Sequence, residues 1–117
     1  MWKTRLFNGY MLTHVKTNCL AHVMFEQALK DAADLDEHMR IFHKPKGPLH
    51  GLPISVKEHI ELMNTPATSG FIAWADQISS SDALVVKVLR EAGAVFHVKT
   101  TNPQSLMVRV SRLEGIL

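Results

Sequence analysis

Cysteine is nearly absent from this chain: Cys19 is the only one in 117 residues. A single thiol excludes an internal disulfide and fits a reducing compartment. Between Asn18 and Leu20 on an apolar face, it reads as a small core residue rather than a nucleophile. Long apolar runs are absent too, and no window approaches the ~20 residues of a membrane-spanning helix. Met1-Trp2-Lys3-Thr4-Arg5 has the charge of a secretory leader, but Leu6-Phe7-Asn8-Gly9-Tyr10 interrupts the apolar core such a leader requires. Basic runs are equally lacking. Thirteen Lys and Arg against eleven Asp and Glu leave a formal charge of +2, scattered rather than striped. These absences argue against nucleic-acid or membrane partners and set a cytoplasmic expectation. Seven histidines remain, but no His-Glu-x-x-His or Cys-x-x-Cys spacing accompanies them. His38 and His43 are five apart, and His59 has no partner four residues on. No metal and no cofactor is expected.

What is present suits one small soluble domain, with 46% hydrophobic and 21% charged residues. Apolar Leu20, Met24, Ala28, Ala32, Leu35, Met39 and Phe42 recur at intervals of three and four, which predicts an amphipathic helix over 17–43. Thr17 and Asn18 are its candidate N-caps. It must stop near His43, because Pro45 lacks a donor and restricts the residue before it. The Pro- and Gly-dense stretch from Lys44 to Pro53 reads as a loop feeding a short strand, Ile54-Ser55-Val56-Lys57. In that strand Ile54 and Val56 share one face, Ser55 and Lys57 the other. Ser79-Ser80-Ser81-Asp82 offers caps for a second helix carrying Leu84, Val85, Val88, Leu89 and Ala92. Gly93 stands where a left-handed C′ residue belongs. Ala94-Val95-Phe96-His97-Val98 is the next strand. Strand, helix and strand form a βαβ unit, so the two strands are expected to be parallel neighbours.

Laid on that frame, the residues themselves are informative. Gly47-Pro48-Leu49-His50-Gly51-Leu52-Pro53-Ile54-Ser55-Val56-Lys57-Glu58 resembles the segment that carries the catalytic lysine of amidase-signature enzymes. Thr65-Pro66-Ala67-Thr68-Ser69-Gly70 is similar to the Thr- and Gly-rich loop that follows it there. Asp82 to Val95 resembles the family helix and next strand, and Lys99-Thr100-Thr101-Asn102-Pro103-Gln104-Ser105-Leu106-Met107 the element beyond. The helix around Thr17–Leu20 and Ala32–Asp36 looks like the one preceding the signature in fungal acetamidase-like members. The resemblance covers 17–107, and several motifs in the same order make it specific.

The resemblance implies an α/β fold: an N-terminal amphipathic helix followed by a βαβ unit, a fragment of the amidase-signature α/β/α sandwich with a mixed sheet. It divides the chain into an N-terminal lead (1–16), the amphipathic helix (17–43), a partial amidase-signature domain (44–107) and a divergent tail (108–117). The activity it implies is hydrolysis of carbon–nitrogen bonds in small amides by a Ser–cis-Ser–Lys triad. There a neutral lysine takes a proton through a bridging serine, the second serine attacks the carbonyl, and backbone N–H groups hold the oxyanion. Lys57 matches the lysine. An ammonium cannot serve as a base, so this role favours a buried strand end beside hydroxyls.

The sequence departs from the family where the two serines belong. No Gly-Gly-Ser-Ser-Gly-Gly-like run occurs, and Ser79, Ser80 and Ser81 lie before a helix without glycines, where capping and solvation explain them. The tail 108–117 reads as sequence from an alternative reading or splice. The chain alone is therefore expected to be an inactive, truncated product, or a partner that self-associates or pairs with a full-length homologue. Glu58 stands where many members have aspartate, and Thr101-Asn102 is shifted from the usual Lys-Thr-Asn order, which leaves Asn102 without an assigned role. His50 is expected to fix its turn and Trp74 to pack. The substrate-binding residues are not marked by any motif.

Overall fold

A computed structural model describes the backbone of residues 2–107 and the side chains of Gly9, Tyr10 and residues 12–107. The tail assigned to 108–117 lies outside the described residues. The elements run α1 (Trp2–Thr17), β1 (Leu20–Val23), α2 (Phe25–Phe42), β2 (Pro53–Lys57), α3 (Leu84–Glu91) and β3 (Val95–Thr100). Single 3-10 turns form at Ile72–Trp74 and Gln104–Leu106. The three strands make one mixed sheet in the order β1-β3-β2. As expected of the βαβ unit, β2 and β3 are parallel; β1 adds to the other side of β3, antiparallel.

The helix expected over 17–43 is divided. Thr17 ends α1, Asn18 takes a positive φ of 49°, and Leu20–Val23 is a strand before α2 begins at Phe25. Neither Thr17 nor Asn18 caps α2; Met24 holds the N-cap position, without a side-chain cap. The reason is tertiary. β3 has a second edge to satisfy, and the stretch from Cys19 to Met24 satisfies it: Thr101 N–H donates to the Cys19 carbonyl and Met24 N–H to that of His97, each at 2.9 Å. The residues taken as a lead (1–16) are helical from Trp2. The C-terminal boundary stands as read. His43 adopts φ 51° and its N–H caps the Met39 carbonyl at 2.9 Å.

Packing follows from the two faces of β3. Ala28 and Leu35 of α2, with Ala32 beside them, cover Val95. Val56, Leu62, Val86 and Phe96 form the second cluster, joined by Ile54, Ile60 and Leu89. Ile54 and Val56 thus share the inward face expected of them. On α3 the buried residue is Val86, while Leu84, Val85 and Val88 stay exposed. The serines at 79–81 do not cap α3, whose N-cap is Ala83 with no side-chain bond. Asp82 serves tertiary structure instead. It accepts from Met63 N–H at 2.7 Å and pairs with Arg90 Nε at 3.0 Å. Arg90 also reaches Asp31 of α2 at 2.9 Å and lies over the Phe96 ring, 5.2 Å from its centroid. One side chain therefore joins α2, α3 and β3.

Gly93 ends α3 at φ 95°, and a Cβ there would meet the His50 Cα at 2.8 Å. Its carbonyl accepts from Gly51 N–H, so the helix end is stitched to the turn that launches β2. That turn is fixed as anticipated by His50, whose Nδ1 accepts from Lys46 N–H at 3.1 Å. Gly93→Ala must strain both the left-handed backbone and this contact, and it is expected to cost about 1–3 kcal/mol. A urea midpoint equal to that of the unmodified chain would contradict the assignment.

Candidate functional site

Both parallel strands end on the same side of the sheet, at Lys57 and Thr100, which pair in register. In parallel sheets ligands gather beyond the carboxyl ends of strands. Here the residues beyond those ends are the 58–70 connection and the 101–107 segment, and several hydrogen bonds lace them together. Glu58 N–H continues the ladder by donating to the Thr100 carbonyl at 2.9 Å. His59 N–H donates to Asn102 Oδ1 at 3.2 Å, which gives Asn102 the role the sequence left unassigned. Ser105 N–H donates to the Ser69 carbonyl at 2.9 Å. Gly70 lies so close to this segment that a Cβ would sit 2.8 Å from the Gln104 Cα.

Lys57 stands at this strand end, with its Nζ donating to the Thr101 carbonyl at 3.0 Å. Its surroundings differ from the buried strand end expected. β2 is an edge strand, and Pro53, Ser55 and Lys57 alternate outward along it. Lys57 is exposed in this chain. Ser55, on the same face, lines a cavity of about 280 Å³ with Tyr10, Thr13, Cys19, Val98 and Thr100. Cys19 is half-buried there, consistent with a packing role.

The buried lysine is a different one. Lys99 has no exposed surface, and its Nζ donates to Thr65 Oγ1 at 3.2 Å and to the Pro66 carbonyl. Burial pushes its pKa below the ordinary 10.5, against the pull of Glu58 and Glu61 in the other direction. Glu58 is buried beside it. One carboxylate oxygen, Oε1, accepts from Thr68 N–H at 2.6 Å, and Oε2 has no hydrogen-bond partner among the described residues. His22 of β1 pairs with Lys99 in register, and burial followed by the Lys99 charge lowers its pKa.

Sequence reasoning missed Lys99 because strict alternation places it opposite Phe96. The observed register is irregular: Ile54 pairs with Phe96 and Ser55 with Val98, so His97 is an extra residue in β3. Val56 then pairs with Lys99, which returns Lys99 to the face of Phe96. Two aligned strands with a one-residue mismatch in their apolar pattern were the available signal.

The serines 79–81 do not approach Lys57 through any hydrogen bond. Ser79 joins a backbone exchange with Asn64 and Thr65. Trp74 packs on Phe71, with ring centroids 4.7 Å apart. Among the described residues no three His, Cys, Asp or Glu side chains converge as metal ligands would, and no helix is long and apolar enough to cross a membrane.

The parallel strand ends thus gather a lysine, a buried carboxylate and a hydroxyl-rich loop. Comparison with known proteins makes this specific. The family profile described as Amidase matches residues 5–115, and the chain belongs to that family. It is 46% identical over 98 residues to an acetamidase of Aspergillus oryzae, covering 83% of this chain and 18% of that protein. With an acetamidase of Emericella nidulans the identity is 45% over 93 residues, covering 79% of this chain and 17% of the relative. Among solved structures, fatty acid amide hydrolase superposes with a TM-score of 0.78 at 35% identity, covering 81% of this chain and 17% of that one. The peptide amidase of Stenotrophomonas maltophilia gives 0.69 at 28% identity, over 88% of this chain and 22% of that enzyme. The resemblance to fungal acetamidases and the fold assignment both stand. The chain spans roughly a fifth of the length of these relatives, 17% to 22%.

The depressed Lys99 ammonium has a measurable consequence. Its folded pKa lies below 10.5, so between the two values the unfolded chain binds more protons, and stability rises with pH across that window. Below the folded pKa both states hold the proton and the slope vanishes. Urea unfolding of the chain and of Lys99→Met, measured from neutral pH to 10.5, is expected to show this alkaline gain only with lysine present. Parallel curves for the two proteins would refute it.

Proposed function

We propose that this segment contributes the general-base lysine, Lys57, to an amide hydrolase acting on small carboxamides. The observation that supports it most is the coincidence of motif and place. The Gly51-Leu52-Pro53-Ile54-Ser55-Val56-Lys57-Glu58 run is β2 and its exit, and Lys57 falls at the carboxyl end of a parallel pair. Its Nζ is aimed by the Thr101 carbonyl, an acceptor that fixes position without adding charge. The names of the fungal relatives suggest short aliphatic amides as the substrate class. In that reading Lys57, when neutral, accepts the proton of a bridging serine, a second serine adds to the amide carbonyl, and the amine leaves before water releases the acid. This chain provides the base and the strand that carries it. The serines are not among the residues its motifs match, so the isolated chain is expected to be inactive, and association with a homologous chain is a corollary.

The test is a chimera in which residues 17–107 replace the matching stretch of the Aspergillus oryzae acetamidase. It is expected to hydrolyse acetamide, and Lys57→Ala within it to lower kcat/KM by about 10²–10⁴. The 117-residue chain alone is expected to release no ammonia above background. A chimera whose Lys57→Ala variant keeps activity within about twofold would sink the assignment.

A further inference from the structure

Lys99 and Glu58 are the two ionised groups this fold buries most deeply at the strand ends, and neither belongs to the proposed proton relay. Lys99 is wholly enclosed and Glu58 is 8% exposed. Burying either group is costly unless it finds partners. What they bind is informative, because both hold the same loop. Lys99 takes its entry, through Thr65 Oγ1 and the Pro66 carbonyl. Glu58 takes its far side, through Thr68 N–H. The two also attract each other, since Glu58 is the foremost charge acting on Lys99, ahead of Glu61. From β1, His22 faces the same lysine.

We propose that Lys99 and Glu58 act as a paired positioning clamp, locking the 64–70 loop against the strand end that bears Lys57. The inference rests on reading Lys57 as the base for its catalytic meaning, while the clamp itself is a property of this chain. Glu58 follows Lys57 directly, and its N–H is fixed to the Thr100 carbonyl, so any force on its carboxylate is transmitted to the backbone at Lys57. The loop in turn fixes the 101–107 segment through the Ser69 carbonyl and Ser105 N–H. That segment carries the Thr101 carbonyl that aims Lys57 Nζ. The clamp therefore closes a circuit: Glu58, loop, 101–107 segment, Lys57. Glu58 and Lys99 are positioning residues in this scheme, because they act on Lys57 through backbone rather than on a substrate.

Amide hydrogen exchange on the labelled 117-residue chain tests the proposal, comparing the unmodified protein with Lys99→Met and Glu58→Gln. Lys99→Met keeps the stem that packs, and Glu58→Gln keeps a neutral acceptor. At neutral pH, Thr68 is expected to lose at least about tenfold protection in both variants, while β3 amides stay within about twofold. In the double variant the losses at Thr68 should fall short of the sum of the two single losses, an effect that two separate packing contributions would not produce. Three results would overturn the clamp: Thr68 protection unchanged in Lys99→Met, equal losses at Thr68 and throughout β3, or fully additive losses in the double variant. None depends on hydrolysis, so failure of the chimera leaves the clamp intact and failure of the clamp leaves Lys57 to be judged by the chimera.

Discussion

One extra residue in β3 governs the strand end. His97 interrupts the pairing with β2, and everything beyond it changes face. Without that bulge, strict alternation would turn Lys99 to the opposite face, the one packed by α1 and α2. With it, Lys99 shares the inward side with Phe96 and Val56, and its ammonium must be satisfied inside. A buried ammonium on a strand needs acceptors from elsewhere in the chain. The 64–70 loop supplies them, and so the loop's course is dictated by a cation it encloses. β1 carries an irregularity of its own, its register slipping between Leu20 and His22 opposite Thr100 and Lys99.

The bulge residue also holds the opposite layer. His97 meets Tyr10 of α1 through Nε2 and the phenol, with ring centroids 4.9 Å apart, and Tyr10 in turn contacts Phe25 at the start of α2. Its carbonyl anchors Met24 where β1 turns into α2. Burial pushes the His97 pKa below the usual histidine value of 6.5, which keeps the imidazole neutral beside the phenol. One inserted residue thus sets a polar contact on each face: the Tyr10–His97 pair toward α1, and Lys99 with the loop toward the Leu62 and Val86 core. The sheet reads as asymmetric in sequence because its central strand changes phase halfway.

Much of this was legible beforehand, and the reasons are local. Pro45 stops α2 near His43, a left-handed Gly93 ends α3, and alternation in Ile54-Ser55-Val56-Lys57 separates the two faces of β2. Such signals act over a few residues and survive any tertiary arrangement. Leu20 to Val23 was not legible, because Leu20 and Met24 fit a helical repeat as well as a strand, and only the unfilled edge of β3 decides between them. The exposed α3 residues Leu84, Val85 and Val88 illustrate the same limit. Helical periodicity permits two faces there, and the sheet selects Ala83, Val86 and Leu89. At the site, the motif located Lys57 by resemblance. The charge beneath it followed from a register irregularity that no single segment contains.

That charge bears directly on how a lysine could serve as a base. Lys57 and Glu58 are sequence neighbours, and a carboxylate next to an ammonium ordinarily holds the proton in place. Successive strand residues point to opposite faces, however, so Glu58 turns inward as Lys57 turns outward. Inside, Glu58 spends one oxygen on Thr68 N–H, and its field falls on Lys99. Lys57 is left with a neutral carbonyl as its hydrogen-bond acceptor. The pleat separates the lysine from its nearest carboxylate, whose charge acts through space on the second lysine. The motif lysine on the exposed face and the enclosed lysine on the other are thus one arrangement, in which the pleat divides Lys57 from Glu58 and turns that carboxylate toward Lys99.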